Sequence, residues 1–144
     1  MTEQQAIDNQ LHGISCSMSV FGETAERLGL DRELAYRIAS GFGGGMGYGS
    51  VCGCVTGAYM ALGATFGNDP LGRAKAMETL RQKKAEFDKR FSEQFGSLLC
   101  SEILEGLNPA VPEERAIIME RGLMQSICPV AICAACEIVA ELSE

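Results

Sequence analysis

Apolar residues recur at helical spacing along almost the whole chain, and a glycine or proline falls where each stripe stops. Ala6, Ile7 and Leu11 share one face of a first segment, Glu3 to Leu11, which Gly13 interrupts. Met18, Phe21, Ala25 and Leu28 predict a second helix from Ser15 to Leu28, ended by Gly29. Asp31 is placed to cap a third, with Leu34, Ala35, Ile38 and Phe42 as its stripe. A run of glycines from Gly41 to Gly49 separates these from an apolar helix predicted over Val51 to Phe66, capped by Ser50 and ended by Gly67. Asp69-Pro70 opens a long amphipathic helix whose stripe is Met77, Leu80, Lys84, Phe87, Phe91 and Phe95, closed by Gly96. Ser97 is expected to cap a short helix through Leu104. Pro112 starts another, to about Glu120, and the last begins near Ser126 to Pro129 and reaches Leu142. No alternating run is long enough for a strand, and there is no repeat or low-complexity linker. The pattern predicts one all-α domain over residues 1–144, a bundle of about six helices with a glycine-rich loop.

Charge and composition narrow the function classes. A net charge of −7 argues against a phosphate-backbone partner, so no nucleic acid is expected. The basic stretch Arg81 to Lys84 sits among glutamates and reads as a solvated helix face. The polar start, Met1 to Gln10, lacks a targeting pattern, and Val51 to Phe66 is shorter than the roughly 20 residues a spanning helix needs. A cytoplasmic protein that does not span a membrane is the expectation. In that reducing setting seven cysteines point to metal or redox work rather than a disulfide framework. The competing reading is that some are small core residues.

The cysteines are not scattered at random. Cys16, Cys52, Cys100 and Cys128 each fall at or near a predicted helix start, where first-turn N–H groups and the helix dipole favour a thiolate. Cys133-Ala134-Ala135-Cys136 places two sulfurs on one helix face, enough for a dithiol pair or half of a four-thiolate site. Cys54, two positions after Cys52, would point to nearly the opposite side of a helix, so the two are not expected to share a metal unless the helix starts after Cys54. Gly49, Gly53, Gly57 and Ala61 recur every four residues and give a smooth face for close helix packing. The Gly41 to Gly49 loop fits neither a dinucleotide fingerprint nor a P-loop, and reads instead as a collar that lets Cys52 approach other thiols. His12, the single histidine, lies in a stretch expected to fray and is a poor general base. No zincin, serine-hydrolase or di-iron carboxylate pattern occurs, and the methionines read as core fillers.

Taken in order, Cys16, the Gly-Phe-Gly-Gly-Gly-Met-Gly run into Cys52-Gly53-Cys54-Val55-Thr56-Gly57, then Phe95-Gly96-Ser97-Leu98-Leu99-Cys100 and Cys128-Pro129 resemble the C_GCAxxG_C_C family. The resemblance covers roughly Gly13 to Leu142. It implies a helical domain of this length with a redox or metal role, and maps the four motif cysteines onto Cys16, Cys52, Cys100 and Cys128. It also implies an anaerobic bacterial or archaeal setting, genes near transporters, and related domains in multi-cofactor electron-transfer proteins. Cys54 departs from the motif, which usually has alanine there, and Cys133 and Cys136 are further additions.

Three functions follow as expectations. In the first, Cys16, Cys52, Cys100 and Cys128 bind an iron–sulfur cluster or another thiolate-bound transition metal and transfer electrons to a partner, with Cys52 and Cys100 the leading redox-active residues. In the second, a metal-free dithiol, Cys52 with Cys100 or Cys128, cycles with a disulfide. In the third, the chain is a metal carrier or an accessory subunit of a transporter or larger redox enzyme. The smooth glycine face also suits a homo-oligomer.

Overall fold

The computed structural model describes residues 1–67 and 74–144, so the predicted helix opening at Asp69-Pro70 lies outside the described residues. Nine α-helices are present among them, more than the six or so expected, and no strand. They are α1 (Glu3–Leu11), α2 (Cys16–Arg27), α3 (Arg32–Ala39), α4 (Gly53–Phe66), α5 (Ala74–Phe95), α6 (Cys100–Ile103), α7 (Pro112–Arg121), α8 (Leu123–Ser126) and α9 (Cys128–Leu142). The excess comes from short pieces. Gly122, left-handed at φ 65°, divides α7 from α8, and α8 is a single turn before α9.

Helices α4 and α9 form the centre. Helix α4 carries no charged side chain and buries Cys54, Val55, Ala58, Ala61 and Leu62 in the core. Helix α9 buries Ala131, Ile132, Ala135, Ile138 and Val139. By length and composition Leu123–Leu142 could cross a membrane, which the sequence reading did not single out. Half of its best window is buried, and α9 packs against α1, α2, α4 and α5 as a core helix does.

Helix α5 covers α4 and α9 with its aromatic stripe. Phe87 and Phe91 are wholly buried and stacked at 5.5 Å, with Phe95 4.7 Å beyond Phe91 and Tyr59 of α4 6.4 Å from Phe87. The Tyr59 hydroxyl donates to the Asp88 carboxylate at 2.6 Å, and Lys84 Nζ lies 4.3 Å from the Tyr59 ring centre. Part of the basic stretch thus packs on aromatic faces rather than standing wholly in solvent.

Two expectations about the outer helices need correction. Helix α1 is not frayed. Thr2 and Gln5 cap it reciprocally, Ala6 is fully buried, and the helix packs on α9. Helix α3 is capped by Asp31 as predicted, its carboxylate accepting the Leu34 N–H at 2.9 Å, but its stripe is rotated. Ala35 and Ala39 face inward, while Leu34 and Ile38 are 49% and 53% exposed. The Tyr36 ring fills the space over Gly22, and the Ser17 hydroxyl donates to the Ala39 carbonyl at 2.8 Å; both contacts turn α3 that way.

Helix α2 lies directly on α4. A Cβ at Gly57 would sit 2.7 Å from the Ser17 carbonyl oxygen and 3.1 Å from Ser17 Cα, whereas one at Gly63 would meet nothing within 4 Å. Two glycine-to-alanine changes in one helix should therefore have opposite signs. Gly57→Ala is expected to lower stability by about 1–3 kcal/mol through overpacking against backbone. Gly63→Ala should raise it by about 0.5–1 kcal/mol by restricting the unfolded chain. Denaturant midpoints of the two variants check both signs.

Candidate functional site

The site begins with a two-bond bridge. Val51 and Leu99 pair antiparallel: the Cys52 N–H donates to the Leu98 carbonyl at 2.8 Å and the Cys100 N–H to the Ser50 carbonyl at 2.7 Å. These bonds hold the residues entering α4 and α6 side by side, and each ends at a cysteine. Cys52 is the residue capping α4, with an extended backbone, and Cys100 is the first residue of α6. Neither Ser50 nor Ser97 caps as expected. The Ser50 carbonyl belongs to the bridge, and the Ser97 hydroxyl accepts the Leu99 N–H at 3.0 Å. Cys16 opens α2 and Cys128 opens α9, with Pro129 behind it.

The glycine-rich loop packs beneath this bridge. Gly44, Gly45, Met46 and Gly47 are all left-handed, with φ between 59° and 76°. Glycine reaches that region without the Cβ clash that costs other residues roughly 1–2 kcal/mol. A Cβ at Gly45 would stand 2.3 Å from the Ser50 nitrogen and 3.0 Å from Cys100 Cβ. At Gly53 it would stand 2.2 Å from Cys16 Sγ. The missing side chains make the room that the cysteines use.

Five cysteines, Cys16, Cys52, Cys54, Cys100 and Cys128, line one cavity of about 620 Å³. Gly43, Gly44 and Gly47 contribute to its wall, and Ile103, Leu104, Met119, Met124 and Ile127 make the rest largely apolar. A small cluster of Cys100, Leu104, Ile118 and Leu123 holds α6, α7 and α8 together beside it. Among the described residues no three His, Cys, Asp or Glu side chains are close enough together to hold a single metal ion.

Cys54 corrects the sequence reading. Because Cys52 precedes the helix, the assumption that the two cysteines point apart does not hold, and Cys54 interacts electrostatically with both Cys16 and Cys52. This interaction decides the protonation. Cys16 is held down to about 6, chiefly by the Cys54 thiol and further by the backbone at Gly44 and Ser17, against the opposing cost of burial. Cys54 keeps its proton: its interactions with Cys16 and Cys52, with burial, push it well up. Burial, with neighbouring thiolate charge, also pushes Cys100 up to about 12 and raises Cys128. A helix start therefore does not lower the thiol at Cys100 or Cys128, because burial outweighs the few N–H groups there.

The other candidates lie elsewhere. Cys133 and Cys136 do not line the cavity. Cys136 sits in the main core, raised to about 12 by burial, and Cys133 is only half-buried beside it. His12 ends α1, with Nδ1 2.7 Å from the Asp8 carbonyl oxygen. Sequence reasoning missed Arg115, which also lines the cavity. One turn of α7 before Met119, it shares that helix's cavity face, a spacing readable once α7 is aligned with the cysteines.

A family model described as a putative redox-active protein (C_GCAxxG_C_C) matches residues 14–142. No curated relative and no solved structure matches the chain.

The protonation pattern predicts a pH dependence. In reduced, metal-free protein, alkylation of Cys16 by iodoacetamide should rise through pH about 6, well below the ordinary thiol range near roughly 8.5. Cys54→Ala should move that midpoint upward. Because the folded value is depressed, the ionised Cys16 adds stability that is complete above the unfolded value and fades as pH falls through about 6. Mass-spectrometric labelling against pH, in parent and variant, checks the midpoint.

Proposed function

This chain belongs to the C_GCAxxG_C_C family, described as redox-active, and from that premise we propose that it transfers electrons through an iron–sulfur cluster held by Cys16, Cys52, Cys100 and Cys128. The observation that carries the reading is that these four cysteines, each at the start of a different helix, line the same cavity. The donor set fits such a group. The lining offers five thiols and no aspartate, glutamate or histidine, the soft all-sulfur environment that clusters use. Thiols spread round a cavity suit a many-atom cluster better than one ion, which needs its ligands gathered on a point.

A bound cluster would supply a centre that accepts and returns one electron. The chain's own residues prepare for it in three ways. Cys16 is ionised near neutrality, its pKa held down by the Cys54 thiol and by the backbone at Gly44 and Ser17, which favour negative charge on the sulfur. Cys54 itself stays protonated and interacts electrostatically with both Cys16 and Cys52. Ile103, Leu104 and Ile127 give the cavity an apolar wall. Seven free cysteines suit a reducing cytoplasm.

A second reading rests on one specific contact. Cys16 thiolate beside Cys54 thiol is the arrangement from which a dithiol attacks a small disulfide. Cys16 would displace one thiolate, and Cys54, losing its proton, would displace the second. Two electrons pass to the incoming disulfide and a Cys16–Cys54 bond remains.

Anaerobic purification followed by iron and acid-labile sulfide analysis separates the two. The cluster predicts near-stoichiometric iron and sulfide, lost in large part in Cys16→Ser, Cys52→Ser, Cys100→Ser and Cys128→Ser, and retained in Cys136→Ser. Protein free of iron, whose thiol titre falls by two on mild oxidation, would overturn the cluster in favour of the dithiol.

A further inference from the structure

Besides the cysteines, α1, α7 and α8 contribute Leu11, Arg115, Met119 and Met124 to the same cavity. We propose that the cavity binds a small organic anion, with its apolar body against Leu104, Met119 and Met124 and its carboxylate-like group on Arg115. The inference does not require the cofactor reading, since none of these side chains is a thiol.

Volume and lining suit a small molecule. The whole cavity, its cysteine lining included, is about 620 Å³, within the roughly 300–1,000 Å³ of ligand sites, which are mainly apolar with a few placed polar groups. Here the placed positive charge is Arg115, the one cationic side chain among the described residues of a lining that also holds the Cys16 thiolate. It forms no ion pair among the described residues, although acidic residues outnumber basic ones 19 to 12 in the chain. Arg27, Arg37 and Arg81 form no ion pair among the described residues either but do not line the cavity, and three other arginines are paired. Arg32 pairs with Glu23 and Glu26, Arg90 with Glu141, and Arg121, on the same helix as Arg115, with Glu105 at 3.6 Å.

The nearest acid in sequence is already engaged, since Glu114 accepts the Asn108 backbone N–H at 3.1 Å. Gln125 stands with Arg115 in the lining, exposed and with a free side-chain amide. The rim is apolar as well: Leu11 is 78% and Met119 52% exposed beside the opening. An exposed apolar rim, an apolar wall and one cation in no ion pair among the described residues together select a molecule with a greasy body and a single negative group. An inorganic anion would leave the wall unused, and a neutral molecule would leave Arg115 unused.

The probe is 8-anilinonaphthalene-1-sulfonate, an apolar body with one fixed negative charge, with neutral N-phenyl-1-naphthylamine as its uncharged counterpart. Both are titrated by fluorescence into folded protein, metal-free and as purified anaerobically. One equivalent of the sulfonate should bind, and Arg115→Gln should weaken it about tenfold, the scale of one charge-assisted hydrogen bond. The neutral probe should change less than twofold in that variant, and Arg121→Gln should leave both unchanged. Circular dichroism of Arg115→Gln, expected to match the parent because the side chain is exposed, excludes a folding defect. No stoichiometric binding of the sulfonate, or binding indifferent to Arg115, overturns the proposal. The result separates from the cofactor question. Iron-free protein that binds through Arg115 overturns the cluster alone, and iron-loaded protein with Arg115-indifferent binding overturns this site alone.

Discussion

Helix α2 rests on α4 at a separation that only glycine permits, and the cysteine end of the molecule is built outward from that contact. At Gly57 the backbone of Ser17 occupies the space of a side chain, and at Gly53 the Cys16 sulfur does. Any larger residue at Gly53 would push α2 away and carry Cys16 with it. With the two helices in contact, the first turn of α2 faces the first turn of α4, and Cys16 reaches Cys54. The bridge between Val51 and Leu99 then fixes Cys100 beside Cys52, and α9, packed on α2 and α4, brings Cys128 to the same cavity.

Within this cluster, burial and local electrostatics compete, and the outcome differs from one sulfur to the next. Burial alone favours the neutral thiol everywhere. Only where a neighbouring thiol and the backbone act together, as Cys54, Gly44 and Ser17 do on Cys16, is the penalty overcome. Cys100 and Cys128 begin helices too, yet carry raised values, because a helix start offers little when the sulfur is enclosed by apolar neighbours and other thiolate charge. That Cys16 is ionised while Cys54, Cys100 and Cys128 keep their protons is thus a consequence of packing, not of helix position alone.

Much of this was readable before any coordinates. Glycine and proline punctuation located the helices to within a few residues, Asp31 and Pro112 cap or open the helices expected of them, and the spacing of Gly53 and Gly57 foretold a close approach. What could not be read were phases and tertiary neighbours. Helical geometry sent Cys54 away from Cys52 because it took both to be inside the helix; the extended backbone of Cys52 is imposed by the bridge to a segment nearly fifty residues later. Similarly, Leu34 and Ile38 look like the buried stripe of α3 until the Tyr36 ring finds Gly22. The α6–α8 pieces were blurred because a single left-handed residue, Gly122, divides what composition alone joins.

The cavity draws its thiols from both ends of the chain, Cys16 from the second helix and Cys128 from the last. Nothing local assembles it: four entry points must meet, and the loop-closure entropy of nearly the whole polypeptide is lost before they do. While α4 and α5 are neighbours in sequence, the sulfur-lined pocket is complete only once α9 is docked on α2 and α4. Until then seven thiols are exposed on a partly ordered chain, able to pair in many wrong combinations. Any crosslink formed at that stage would forestall the docking of α9 and, with it, the pocket.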